Sequence, residues 1–258
     1  HLSIRRQRQM CIRDRYTTAG LPDMETTKKI MFAQQEAGID VMELGIPFSD
    51  PVADGPVIQA ASYEAIQKGA TLTKIFTLMK EVRKEGLTTP VVFMMYYNTV
   101  YHYGLEEFVE MCADCGVDGL IIPDLPYEEQ KEINAVLAEN EAAPILIQLV
   151  SPVSKQRIPM IVNNARGFVY CVSQMGVTGN GANFHKQIRE YLLEVKKNSP
   201  VPVMMGFGIR TAGDVEPLED IIDGAIVGSH FITLMKENNY DENVIKEYIS
   251  SFKKEMNE

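Results

Sequence analysis

The sequence predicts an α/β fold closed into a single (β/α)8 TIM barrel, on three observations. Short apolar runs alternate with longer amphipathic stretches about eight times along the chain. Most of those runs are continuously apolar rather than alternating, as parallel strands covered on both faces must be. The length of 258 residues, with 45% hydrophobic content, supports one sizeable core and does not force a second domain. An open doubly wound sheet is the rival architecture. Seven or eight strand–helix units within about 240 residues fit a closed barrel better.

The first strand centres on Tyr16-Thr17-Thr18, where Asp14 and Arg15 replace the expected apolar lead-in. The others fall at 39–44, 91–95, 117–122, 144–149, 168–172, 201–205 and 223–227. Between them METTKKIMFAQQEAG, LEEFVEMCADCG, EEQKEINAVLAEN and NFHKQIREYLLEVKKN place apolar residues every three or four positions, the helical period. Gly38 and Gly116 stand where helices should stop. The long gap after the second strand needs an added loop and helix, which 47–60 and 71–85 supply, and a further short helix is expected after the eighth. Pro159 should shorten or bend the fifth helical region.

Residues 1–15 differ from the rest. They carry five arginines and one acid, with no helical or alternating period. They read as a disordered or foreign segment, with a basic binding arm as the other reading, and the catalytic domain is expected over 16–258.

The formal net charge is −10, which disfavours binding a nucleic-acid backbone but not one small phosphate held by backbone N–H groups. Four cysteines in a chain this long do not resemble a stapled secreted domain. Cys112 and Cys115 are either a redox pair or two neighbours on one helix face; no second pair completes a zinc site. The four scattered histidines give a metal little to bind. No apolar run is long enough to span a bilayer and no signal-peptide pattern is present, so a cytoplasmic location is expected.

In a barrel the reactive groups gather at the C-terminal ends of strands. Glu43 lies inside the second strand, where a carboxylate is costly unless a function or a salt bridge retains it. Burial should raise its pKa toward the range useful for proton transfer. Residues 45–56 hold three prolines, two glycines and two acids, a shaped loop over the mouth. Asp50 and Asp54 are both candidates there. Asp54 precedes Gly55-Pro56, so it serves either as a helix cap or in chemistry. Glycines follow three successive strands, as Gly176-Val177-Thr178-Gly179, Gly206-Phe207-Gly208 and Gly228-Ser229. That pattern matches the phosphate site built from late barrel loops and a short helix. Tyr170, Tyr96, Tyr97, Asn98 and Asp124 are further candidates at strand ends.

ELGIPFSDPVADGPVIQ (43–59) closely resembles the signature of the tryptophan synthase alpha chain family. YTTAGLPD, YYNTVYHYG, GLIIPDLP, VYCVSQMGVTG, GFGI and IVGS resemble further family blocks in the right order, so the likeness covers about residues 16–250. The resemblance implies a lyase that splits indole-3-glycerol phosphate into indole and glyceraldehyde 3-phosphate by retro-aldol cleavage. It implies that Glu43 is the general acid–base and that Asp54 binds the indole N–H. Tyr16, Tyr170 and Thr178 match substrate-binding positions, and Gly179, Gly208, Gly228 and Ser229 the phosphate cradle. It also implies a beta subunit partner in an alpha2-beta2 heterotetramer, with pyridoxal phosphate in that partner and no cofactor here. Asp124 matches the family's partner-facing region. The chain departs from the family before YTTAG, where an initial helix and apolar lead-in are replaced by the arginine-rich stretch, and at Thr99 and Met205. Three other readings remain. One is another phosphate-binding barrel, although no strand core holds the interior lysine a Schiff-base aldolase needs. The others are an inactive partner barrel and a lyase that releases indole without a partner.

Overall fold

The computed structural model describes residues 12–154, 156–172, 182–206 and 208–255. Nine parallel strands form one sheet: β1 (Ile12–Thr18), β2 (Val41–Gly45), β3 (Val91–Met94), β4 (Gly119–Ile121), β5 (Ile145–Leu146), β6 (Gln148–Val150), β7 (Val169–Val172), β8 (Val203–Gly206) and β9 (Gly224–Val227). Their order is β5-β4-β3-β2-β1-β9-β8-β7-β6. β5 pairs with β4, β6 pairs with β7, and only Ile147 separates the two. They are the halves of one stave, and through it the sheet closes into the expected eight-staved barrel.

Two helices, α1 (Met24–Glu36) and α2 (Pro56–Gln67), precede α3 (Leu72–Lys84), and α4 (Tyr97–Tyr103) precedes α5 (Leu105–Cys115). α6 (Lys131–Glu139), α7 (Ile158–Val162), α8 (Ala182–Asn198), α9 (Ser229–Glu237) and α10 (Glu242–Glu255) complete the outer layer. The paired helices after β2 and after β9 are the expected additions. Local chemistry explains the boundaries. The Asp23 carboxylate accepts the Thr26 N–H at 2.7 Å and starts α1, while Gly116 ends α5 in the left-handed region at φ +71°. α7 has only five residues, and Pro159 sits in its first turn, where its missing N–H costs nothing. Between β8 and β9 the connection holds only two three-residue 3-10 turns, the first closed by a Thr211–Asp214 capping box.

Strand alternation divides the core in two. Ile12, Val41, Val92, Ile121, Ile147, Phe168, Tyr170, Met204 and Ile226 fill the lumen. Met42, Leu44 and Phe93 join the larger layer between staves and helices, with Phe108 and Phe231 opposite. On β2 this alternation puts Glu43 on the same face as Val41, toward the lumen.

The first strand begins four residues earlier than the sequence indicates. Ile12–Arg15 pair with Gly224–Val227 of β9, and Asp14–Thr18 pair with Val41–Gly45 of β2. Backbone ladders form whatever the side chains are, so unsuitable residues are carried into the wall. Arg13 turns outward to Asp40 at 2.8 Å. The Arg15 guanidinium lies 4.3 Å from the Phe252 ring centroid and 5.4 Å from that of Tyr248, both on α10. Burial lowers its pKa to about 10. Those stacks contribute about 0.5–2 kcal/mol. Arg15 Nε and Nη2 nevertheless meet no acceptor among the described residues, at a cost of similar size. Residues 1–11 lie outside the described residues.

Candidate active site

Glu43 is 1% exposed and stands in the barrel lumen beside Asp14, which is fully buried. Among the described residues no N–H or O–H donor meets either carboxyl with hydrogen-bonding geometry. Each carboxyl lies against the other, and burial together with the neighbouring acid holds Glu43 well above the ordinary carboxylate range. Burial raises Asp14 as well. Two ionised carboxylates cannot both persist in such a site, so the pair retains a proton into the neutral range. The alternative of a salt-bridged structural acid at Glu43 therefore fails, because no cation pairs with it among the described residues.

Asp54 arrives from the loop between β2 and α2. It does not cap α2: the cap position is Gly55, with no side-chain hydrogen bond. The carboxylate accepts the Tyr96 hydroxyl at Oδ2, 3.0 Å, and the same hydroxyl accepts the Ala53 N–H at 2.9 Å. Burial raises the Asp54 pKa, and the Tyr96 hydroxyl opposes that rise. Asp50, the other acid of the loop, is exposed and accepts from the Ser49 hydroxyl at 2.5 Å. Sequence reasoning placed both acids at the mouth; folding separates them.

Tyr16 and Tyr170 line the same space. A Cβ on Gly45 would overlap the Tyr16 hydroxyl, and one on Gly206 would overlap that of Tyr170. These strand-end glycines make room for the two rings. Burial raises the Tyr16 phenol, with the charges of Asp54 and Glu43 adding to it. Burial also raises Tyr170, with Glu43, Asp14 and Asp54 acting in the same direction. Both phenols thus sense both acids.

Of the late glycines, Gly228 lies beside Tyr16. Gly208 is left-handed at φ +77°, and Gly228 precedes α9, whose first residue is Ser229. A Cβ on Gly228 would come within 3.7 Å of Tyr16 Cβ and 3.8 Å of Ile58 Cδ1. The first N–H groups of α9 have no intrahelical acceptors, which suits an anion. Thr178 and Gly179 lie outside the described residues.

Two contributors were not assigned their places by sequence reasoning. Asp14 counted there only as a poor strand starter, yet strand pairing puts it beside Glu43; its two-residue spacing from Tyr16 on one strand was the available signal. Tyr96 was one of several strand-end candidates, and its contact with Asp54 across 42 residues has no local signature. Asp124 accepts the Tyr97 N–H at 2.9 Å and fixes the start of α4. Cys112 and Cys115 are buried free thiols on α5, and burial pushes Cys115 up to about 11, so the helix-neighbour reading holds. Among the described residues no group of three or more His, Cys, Asp or Glu could hold a metal. No described helix is long and apolar enough to cross a membrane.

The family described as tryptophan synthase alpha chain matches residues 5–258. A tryptophan synthase alpha chain of Lachnospira eligens is 74% identical over 94% of this chain and 92% of its own length. One from a Thermoanaerobacter strain is 45% identical, covering 92% and 91%. The solved alpha subunit of Legionella pneumophila superposes with a TM-score of 0.85 at 32% identity, covering 96% of this chain and 93% of that one. A chain from the tryptophan synthase complex of Pyrococcus furiosus gives 0.80 at 30% identity, covering 96% and 98%. The chain belongs to the tryptophan synthase alpha chain family, and so to the lyases that cleave indole-3-glycerol phosphate.

Proposed function

We propose that the barrel, as one catalytic domain, performs this retro-aldol cleavage with Glu43 moving protons and Asp54 holding the indole nitrogen. The observation that carries the division of roles is the difference in environment between the acids. Glu43 is buried beside Asp14 and keeps its proton, so it can deliver that proton to C3 of the indole ring. Protonation at C3 leaves positive charge at the ring nitrogen. Asp54, whose ionised form the Tyr96 hydroxyl favours, stabilises that charge through the ring N–H. The Glu43 carboxylate left behind takes the proton of the glycerol hydroxyl. The bond between C3 and the glycerol carbon then breaks, its electrons return to the ring, and indole and glyceraldehyde 3-phosphate result. No net proton is gained or lost.

Tyr16 and Tyr170 wall the indole subsite, and Thr178 joins them in binding substrate. Gly179, Gly208, Gly228 and Ser229 cradle the phosphate, with Gly228 and Ser229 offering backbone N–H groups at the start of α9. The partner is a beta subunit in an alpha2-beta2 assembly, a reading supported by the likeness to a chain of a tryptophan synthase complex. Pyridoxal phosphate belongs to that subunit, and no step here runs through it. The site of action is the cytoplasm. The test is indole release from indole-3-glycerol phosphate, with and without a beta subunit. Slow release alone and strong stimulation by the partner is the expected result. No release under either condition would assign this chain to the inactive-barrel alternative.

A further inference from the structure

Glu43 is aimed by strand register, but Asp54 stands in a loop and needs another anchor. We propose that Tyr96 is the positioning residue for Asp54: its hydroxyl holds Oδ2 and leaves Oδ1 as the acceptor for the substrate's ring N–H. This inference rests on the role given to Asp54 above.

Three observations carry it. First, the hydroxyl has one proton, and its contacts fix where that proton goes. It accepts the Ala53 N–H at 2.9 Å and donates to Asp54 Oδ2 at 3.0 Å. One oxygen thus clamps two consecutive residues of the loop. Second, the phenol is itself held. Its ring is buried and stacks on Phe48 at 5.1 Å and 23°. Its backbone leads into α4, where the next N–H is bound by Asp124. Third, the Asp54 main chain is tied as well. The Asp54 N–H donates to the Pro51 carbonyl at 3.0 Å, and Gln59 Nε2 donates to the Asp54 carbonyl at 2.9 Å. With the main chain and one carboxylate oxygen occupied, the remaining oxygen has little freedom.

The clamp also sets protonation. A hydroxyl donating to a carboxylate favours the ionised form, against the burial that raises Asp54. The other titratable groups facing these two residues are Tyr16 and Tyr170, whose phenols the Asp54 charge raises, and Asp124 beside Tyr96. None of them is a cation, so among the described residues no positive charge substitutes for the hydroxyl.

The test compares Tyr96→Phe, Asp54→Asn and the double variant, assayed with the beta subunit across a pH series. Tyr96→Phe removes one oxygen and keeps the ring on Phe48, and thermal melting checks that the fold is intact. The expected result is a kcat lowered about tenfold, the worth of one charged hydrogen bond. KM should stay within about threefold, and the acid limb of the kcat profile should move to higher pH as Asp54 becomes easier to protonate. On the Asp54→Asn background the tyrosine change should add almost nothing. A kcat within about twofold of the parent, or a fall with the acid limb unmoved, would overturn the proposal, as would an equal fall on both backgrounds. Should Asp54→Asn itself retain full activity, the role of Asp54 is the part that fails, and the proposal falls with it.

Discussion

Glu43 stands on β2, almost fully buried, with a second carboxyl beside it and no salt-bridge partner among the described residues. Asp54 stands in a proline-bounded loop, half-buried, with one oxygen held by a phenol. The two surroundings differ in what supplies position and what sets charge. At Glu43 the strand supplies position, and burial keeps the proton on. At Asp54 a long-range hydrogen bond supplies position, and the same bond favours the anion. A proton donor and a cation stabiliser need opposite charge states, and one mouth provides both by treating two carboxyls differently.

That contrast can be tested by removing one side at a time. Glu43→Gln removes the transferable proton while keeping shape, and indole formation should fall by about 10²–10⁴-fold. Circular dichroism should show an intact barrel, since the change also relieves a carboxyl pair; full activity would dissolve the contrast. Asp54→Asn leaves a neutral acceptor, and kcat should fall by about 10²-fold, the scale of one lost electrostatic group. Indole release at saturating substrate measures it, and a change confined to KM would make Asp54 a binding group only.

Two further changes probe the walls. Gly206→Ala inserts a Cβ where the Tyr170 hydroxyl lies, and urea unfolding should show a loss of about 1–3 kcal/mol from overpacking. Asp14→Val should give a smaller effect of opposite sign, a gain of about 1–2 kcal/mol from replacing an unsatisfied buried carboxyl. Its pH dependence follows from the direction of the shifts. Asp14 and Glu43 are both raised in the folded state from ordinary values of 3.8 and 4.5. Their contribution is fully present below those values and is lost as pH rises through the raised ones. Urea midpoints should therefore show a larger gain for Asp14→Val at about pH 8 than at about pH 5. A gain that is flat with pH would mean that Asp14 and Glu43 do not share a proton.

Much of this was legible in the sequence. The uninterrupted apolar runs at 91–95 and 201–205 became β3 and β8, and Gly116 ended its helix as its freedom at positive φ requires. Glu43 was identifiable because a carboxylate within a strand is a local anomaly. Asp54 was not decidable locally, since an acid before Gly-Pro fits a cap as well as a site. The four residues before Tyr16 misled for a related reason. Arg13, Asp14 and Arg15 are charged residues unexpected in a buried strand, but they pair with β2 and β9 through backbone groups that every residue has.

The sequence by itself determined the stave-and-helix alternation and the family signature at 43–59, because each depends on spacing along the chain. Only the tertiary structure decided that Asp14 meets Glu43, that Tyr96 rather than α2 holds Asp54, and that Gly45 and Gly206 yield space to two tyrosines. Those contacts join residues far apart in sequence. Their geometry is set by closure of the barrel and by sheet register, which no local window contains.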